Sequence, residues 1–157
     1  MNLHGHRVVH AAAADLYAAI MDPAVLLEVI PGCRDLEQVS PTEYRGRIAL
    51  RLPGFAGAYE TLVRVVESEP PRRGVLAGEV GGALGRVTGE ATFRLAETDA
   101  GTAVDYEGQA TIAGPLARLD SRFIEGLATS LIDQGLDALE ARLAAVSTAA
   151  YPKETVE

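Results

Sequence analysis

Tryptophan is missing from this 157-residue chain, and aromatic residues together make up only 5% of it. A core with so few large rings is filled by small and aliphatic side chains, or it is left partly open. Cysteine occurs once, at Cys33. That excludes an intramolecular disulfide and a cysteine-based metal cage. No apolar run approaches the roughly 18 residues needed to span a bilayer. The first six residues lack the apolar region of a secretory signal. Basic residues are outnumbered, 14 Lys and Arg against 22 Asp and Glu, for a net charge of -8. Phosphate-rich partners would be repelled, so nucleic acid is excluded, and anionic lipid gains no general attraction. A cytoplasmic protein is expected, at most peripheral to the inner face of the cell membrane.

What the chain does contain is a long run of strand patterns followed by one long helical pattern. After a first strand over 3–10, Leu16, Tyr17 and Ile20 lie at helical spacing. Pro23 opens a second short helix with Asp22 as its N-cap. Pro31-Gly32 stops that helix. From Cys33 the period turns toward two. Tyr44, Ile48 and Leu50 share one strand face and Arg45, Arg47 and Arg51 the other. Tyr59, Val63 and Val65 share the face of the next strand. Pro70-Pro71 breaks that strand, and further strands follow over 75–80, 91–95 and 104–112, with a turn at 98–101. One wet face per strand means an antiparallel sheet.

Residues 115–146 read as one uninterrupted helix. Leu116, Leu119, Phe123, Leu127 and Leu131 form its ridge, widened by Ile124, Gly135, Ala138 and Leu139. Such a helix and a curved sheet each have an apolar face that the other covers. The expected fold is α+β, a curved antiparallel sheet wrapped around the long C-terminal helix, with two short helices near the N-terminus. One domain spans 1–146, and 147–157 form a polar tail. Abundant alanine and the chain's 16 glycines leave two outcomes open at the joint, a hollow or a tightly packed seam.

Several segments, taken in order, resemble the carbon monoxide dehydrogenase CoxG family of the START-like, or SRPBCC, helix-grip superfamily (the Bet v 1-like fold). They are Gly5 to Val9 with Ala11 and Leu16-Tyr17, Asp22-Pro23, Ile30-Pro31-Gly32-Cys33 with Leu36-Glu37, and Pro70-Pro71. The glycine-rich stretch from Gly78 to Gly89, Gly101-Thr102, Tyr106, and Gly114 through Arg122 complete the set. Ala12 and Tyr17 stand where the family commonly has proline and tryptophan, and residues 52–57 are a loose version of its strand-linking loop. Some members continue into a membrane-seeking C-terminal segment that is not expected here.

The resemblance implies a non-enzymatic accessory protein with an apolar cavity between sheet and last helix. Its ligand would be lipophilic, a quinone or a fatty acid, and its partner a molybdenum hydroxylase of the carbon monoxide dehydrogenase type. The role would be membrane recruitment or electron transfer to the quinone. No cofactor is required, and the oligomeric state is left open. The expected cavity lining is Leu26, Ile30, Ile48, Leu50, Tyr59, Val63, Phe93, Tyr106, Leu119, Phe123 and Leu127. Tyr59 and Tyr106 offer hydroxyls to a ligand oxygen, unless those hydroxyls reach only solvent or backbone. The alternatives are a cyclase or lyase of the same superfamily, which needs an inward carboxylate or histidine, and an interaction domain with a filled core.

Other residues read as structural. His4, His6 and His10 are expected on the wet face of the first strand, without a metal. The glycine stretch reads as a bent hairpin at the pocket rim, since a phosphate loop needs a following helix. Asp15, Asp22 and Glu28 look like caps and solvated charges rather than an acid–base pair. Cys33 reads as a buried small hydrophobe. No catalytic residue is expected.

Overall fold

The computed structural model describes residues 1–51 and 56–150, with side chains as far as residue 145. Strand β1 is Asn2–Val9, and two short helices follow, α1 at Ala13–Ile20 and α2 at Pro23–Val29. Strands β2 (Cys33–Ser40), β3 (Glu43–Leu50), β4 (Gly57–Glu69), β5 (Arg73–Gly82), β6 (Gly85–Thr98) and β7 (Gly101–Ala113) come next. A 3-10 turn at Pro115–Arg118 leads into helix α3, Ser121–Ala150.

All seven strands form one antiparallel sheet in the order β1-β7-β6-β5-β4-β3-β2. Strands β2 to β7 are a simple meander, so short turns suffice, and β1 returns to pair with β7. Helices α1 and α2 therefore carry the chain from one sheet edge to the other. Asp22 starts α2, accepting the Ala24 N–H at 2.9 Å, and Pro23 occupies the first turn, where no N–H is required. Leu16 and Tyr17 of α1 are buried. The Tyr17 hydroxyl donates to the Arg73 carbonyl at 3.1 Å and lies 2.5 Å from Ser68 Oγ, which ties α1 to the β4–β5 turn. That turn holds the cis Pro70-Pro71 bond. The expected loop at 52–57 lies mostly outside the described residues.

The core divides into two clusters. The larger joins Val9, Leu16, Tyr17, Val25, Phe93, Leu95, Val104 and Leu139, under α1 and α2. Tyr17 and Phe93 meet there with ring centres 5.6 Å apart, within the attractive range for tilted aromatic pairs. The smaller cluster gathers Leu50, Val80, Val87, Ile112, Leu119 and Leu127 around buried Tyr59 and Leu116, at the 3-10 turn.

The last helix differs from the continuous 115–146 rod expected from the sequence. Residues Pro115–Arg118 are 3-10, Leu119 is extended, and α3 begins only at Ser121. The Asp120 carboxylate accepts the Arg122 N–H at 2.8 Å and so caps the new start. Helix α3 continues past Val146 to Ala150, and the rest of the expected tail, 151–157, lies outside the described residues.

Packing along α3 is uneven. Leu139, 3% exposed, is its one buried side chain among those described. Ion pairs fix the same half. Arg7 of β1 reaches Asp137 at 2.9 Å and Glu140 at 3.6 Å, and Arg142 reaches Glu28 of α2 at 2.5 Å. Between 121 and 131 no side chain is buried, and Phe123 is 43% exposed. The apolar ridge is thus fully buried only toward its C-terminal end; at the other end Leu127 packs, partly buried, against the smaller cluster.

Candidate functional site

Strand register shows what lines the concave face of the sheet. Tyr44, Val63, Gly78, Gly89 and Ala110 are paired in turn across β3, β4, β5, β6 and β7, and so form one row on the concave face. The row on one side holds Leu76, Ala91, Gly108 and Leu3; the row on the other holds Thr61, Val80, Val87 and Ile112. The middle row has glycine where the flanking rows have leucine and valine. Low side chains between taller ones make a trough. Its volume is about 320 Å³ and its surface is almost wholly apolar. Among the described residues none from α3 walls it.

Glycines 78 and 89 are therefore floor, not rim. The sequence suggested a bent hairpin from Gly78 to Gly89, but β5 and β6 pair continuously to Gly82 and Gly85, and the turn is confined to Ala83 and Leu84. The glycines face each other within that ladder, and their missing side chains account for the depth above them.

The expected lining residues fall into separate places. Val63 lies in the trough. Leu26, Phe93 and Tyr106 belong to the larger cluster, and Leu50, Tyr59, Leu119 and Leu127 to the smaller one, so these two groups close the two ends. Ile48 is half-buried beside Tyr59 on the neighbouring strand, and Ile30 is half-buried at the end of α2. Phe123 stands at the exposed start of α3. Sequence reasoning missed Leu3, Leu76, Val80, Val87, Ala91 and Ala110. Their strands are recognisable from alternation, but register between strands is not, and register is what brings these residues into three adjacent rows.

The remaining candidates take structural positions. Asp22 caps α2, Glu28 pairs with Arg142, and Asp15 lies exposed in the first turn of α1. Cys33 is half-buried rather than buried; burial first, and then Asp35, raise its thiol above the usual range. A low-pKa nucleophile is the opposite case. A larger depression of about 490 Å³, lined by Asp35, Glu37, Arg45, Arg47 and Glu60, lies among side chains of the charged outer strand face. Arg47 grips Asp35 there with two nitrogens at 2.6 and 2.7 Å. That pair satisfies two of its charges, and its lining is far more polar than that of the trough.

Of the histidines, His4 and His6 are on the outer face, with His6 Nδ1 2.7 Å from Asp105. His10 breaks the expected pattern. It lies beyond the end of β1 and turns to α3, its backbone N–H donating to Glu140 at 2.6 Å and its Nδ1 lying 2.8 Å from the same oxygen. Among the described residues no group of three ligating side chains converges. The His10 N–H, followed by its ring and Arg7, holds the Glu140 carboxyl below its ordinary value of 4.5, against the opposing effect of burial. A lowered value in the folded state means that stability is present above the ordinary value and is lost as pH falls through the folded one. Glu140→Gln is accordingly expected to reduce the fall in the urea midpoint between about pH 6 and about pH 3. An equal fall in both proteins would show that this contact does not contribute.

A meander sheet with a long terminal helix has relatives. A family profile described as the CoxG component of carbon monoxide dehydrogenase matches residues 5–144. The chain belongs to the CoxG family. The match takes in nearly all of the sheet, the glycine floor, and α3 through the ion pairs that anchor it. No curated protein matches the sequence significantly. Solved structures share the CoxG fold. A conserved protein from Geobacillus kaustophilus superposes with a TM-score of 0.87 at 24% identity, over 92% of this chain and 95% of its own. A Mycobacterium smegmatis protein, Ms6760, gives 0.70 at 14% identity, over 92% of each chain. The di-domain ARO/CYC StfQ of the steffimycin biosynthetic pathway gives 0.70 at 16% identity, over 93% of this chain and 51% of its own. These likenesses establish the helix-grip architecture for this CoxG family member. None of its described helices is long and apolar enough to cross a membrane.

Proposed function

We propose that this protein is a non-enzymatic carrier that holds a lipophilic molecule in the trough and serves a carbon monoxide dehydrogenase-type molybdenum hydroxylase. One observation supports the reading above others: an apolar trough of about 320 Å³, floored by paired glycines, that no described residue of α3 fills. A filled core would place side chains there. Apolar surface leaving water at about 25 cal/mol per Å² supplies the affinity. Family membership supports the partner. Within this proposal the ligand is a quinone, with a fatty acid as the competing occupant, and the service is electron transfer or recruitment to the membrane.

The cyclase reading draws on the likeness to StfQ. It needs an acid or base within the trough. The carboxylates bordering it, Glu79 and Glu90, belong to the alternate positions of β5 and β6, pointing away from the row of Gly78 and Gly89. The carrier reading is therefore preferred.

The test is organic extraction of the full chain purified from cells, followed by mass spectrometry of the extract. A stoichiometric isoprenoid or acyl compound is expected. A chain that yields none, and that also fails to take up the apolar fluorophore N-phenyl-1-naphthylamine, would not be a carrier.

A further inference from the structure

We propose that one end of the sheet, where the β3–β4, β5–β6 and β7–α3 connections meet, is a docking surface that lies on anionic lipid. The carrier reading gives this contact a purpose, but the contact itself needs no cargo.

Antiparallel order brings those three connections to the same end. They are joined there. The Leu116 N–H donates to the Leu84 carbonyl at 3.0 Å, which seats the 3-10 turn on the β5–β6 turn. Gly114, at φ +81°, passes so close to Gly85 that a Cβ on it would lie 2.9 Å from the Gly85 Cα. Leu50 and Tyr59, which flank the β3–β4 connection, pack in the smaller cluster with Leu116 and Leu119. The described residues of these connections, 51, 56–58, 82–86 and 113–119, include no carboxylate, although the chain has 22. Arg51, Arg118 and Arg122 are exposed and have no ion-pair partner among the described residues. Of the bordering carboxylates, Asp120 caps α3 and Glu79 is held by Arg86, which leaves Glu60 and Glu125 against three arginines.

The opposite end has the reverse balance. Its turns carry Glu43, Glu67, Glu69, Glu97 and Asp99 against Arg72 and Arg73. Strands of 13 and 14 residues hold the two ends about 40 Å apart, at about 3.3 Å per residue, several times the screening length near 0.1 M salt. The net charge of -8 therefore does not govern the basic end, and a lipid phosphate there meets arginine first. Apolar groups lie among these cations. Phe123 is 43% exposed, and Ala56, Ala83, Pro115 and Ala117 are exposed at the tips. That mixture suits a headgroup layer, where cations meet phosphate and apolar groups enter the acyl boundary. A specific protein partner would also call for side-chain hydrogen bonds, and within 82–86 and 113–119 only the arginines can supply them. A depression of about 320 Å³ lined by Ile112, Leu119 and Ile124 opens at this end and shares Ala110 with the trough. Docking on this surface thus sets the trough beside the bilayer.

The experiment is co-sedimentation of the full chain with vesicles of phosphatidylcholine, with and without about 30 mol% phosphatidylglycerol. Binding to the anionic vesicles is expected to be about tenfold or more tighter than to the neutral ones, and to weaken as salt rises from about 50 to about 300 mM. Arg118→Gln combined with Arg122→Gln should weaken it about twentyfold, at about fivefold for each charge near the surface. Arg72→Gln, at the opposite end, should leave it unchanged, and thermal melts should show both variants folded. No binding to anionic vesicles, an affinity indifferent to the double substitution, or an equal loss with Arg72→Gln would overturn the proposal. Retention on immobilised polyglutamate without vesicle binding would overturn it too, by assigning the surface to an acidic protein. Vesicle binding by a chain that takes up no N-phenyl-1-naphthylamine would uphold the docking surface while the carrier reading fails; uptake without vesicle binding would do the reverse.

Discussion

Gly78→Leu is expected to abolish most ligand uptake without unfolding the protein. A Cβ at residue 78 would meet only ordinary neighbours, Leu62 O at 3.4 Å and Val63 Cγ2 at 3.9 Å, and the backbone there does not take a left-handed conformation. The leucine side chain would occupy the middle row of the trough, the part of its floor without side chains. Displacing two or three ligand methylenes costs about 2 kcal/mol at about 0.8 kcal/mol each. That corresponds to a roughly 30-fold loss of affinity. Stability should hold or rise slightly, because glycine inside a strand is itself unfavourable. Fluorophore titration and a thermal melt on the same preparation would check both halves. Wild-type uptake by a folded Gly78→Leu protein would move the binding site elsewhere.

Leu16→Ala is expected to produce the largest loss of stability. Leu16 is completely buried, at 0% exposure, where α1 joins Phe93, Leu95 and Val104 of the sheet to Leu139 of α3. Truncation removes its transfer free energy and leaves a cavity lined by neighbours that relax only in part, for about 3 kcal/mol. In a domain of this size that lowers the Tm by roughly 10 °C. Urea denaturation should show a reduced midpoint with an unchanged slope. A shift of only a degree or two would mean that α1 and the sheet close over the gap. Ligand uptake by the folded fraction should persist, since Leu16 lies in the larger cluster and not in the trough.

Much of this architecture is legible in the sequence, because it follows from side-chain period. The faces of Tyr44, Ile48 and Leu50, and of Tyr59 and Val63, read from alternation alone, and Asp22-Pro23 marks the start of α2. The helix-grip arrangement follows from those strands and the terminal helix together with the family resemblance. Two features escape such a reading. Helical spacing runs unbroken through Leu119, Phe123 and Leu127, so it conceals the interruption between Arg118 and Ser121, although Asp120 is a good N-cap residue and carries the signal. Spacing also shows which residues share a helix face but not which of them reach the opposing wall, and so it puts Phe123 in the joint beside Leu127, whereas Phe123 is 43% exposed. The trough floor is hidden for a different reason. Gly78 and Gly89 become significant only once their pairing is known, and pairing is a relation between strands that no single strand encodes.

The one-sided fastening of α3 has a kinetic meaning. Arg7, His10 and Glu28 hold its far half, and Leu139 is buried there, while the turns from Ser121 to Leu131 carry no comparable hold. Raising the near turns breaks none of those attachments and unseats only the partly buried contact of Leu127 with the smaller cluster, so such an excursion draws on a local free energy below that of global unfolding. Under the carrier proposal, cargo exchange need not pass through loss of the fold. A carrier built this way would load and unload many times in one folded lifetime.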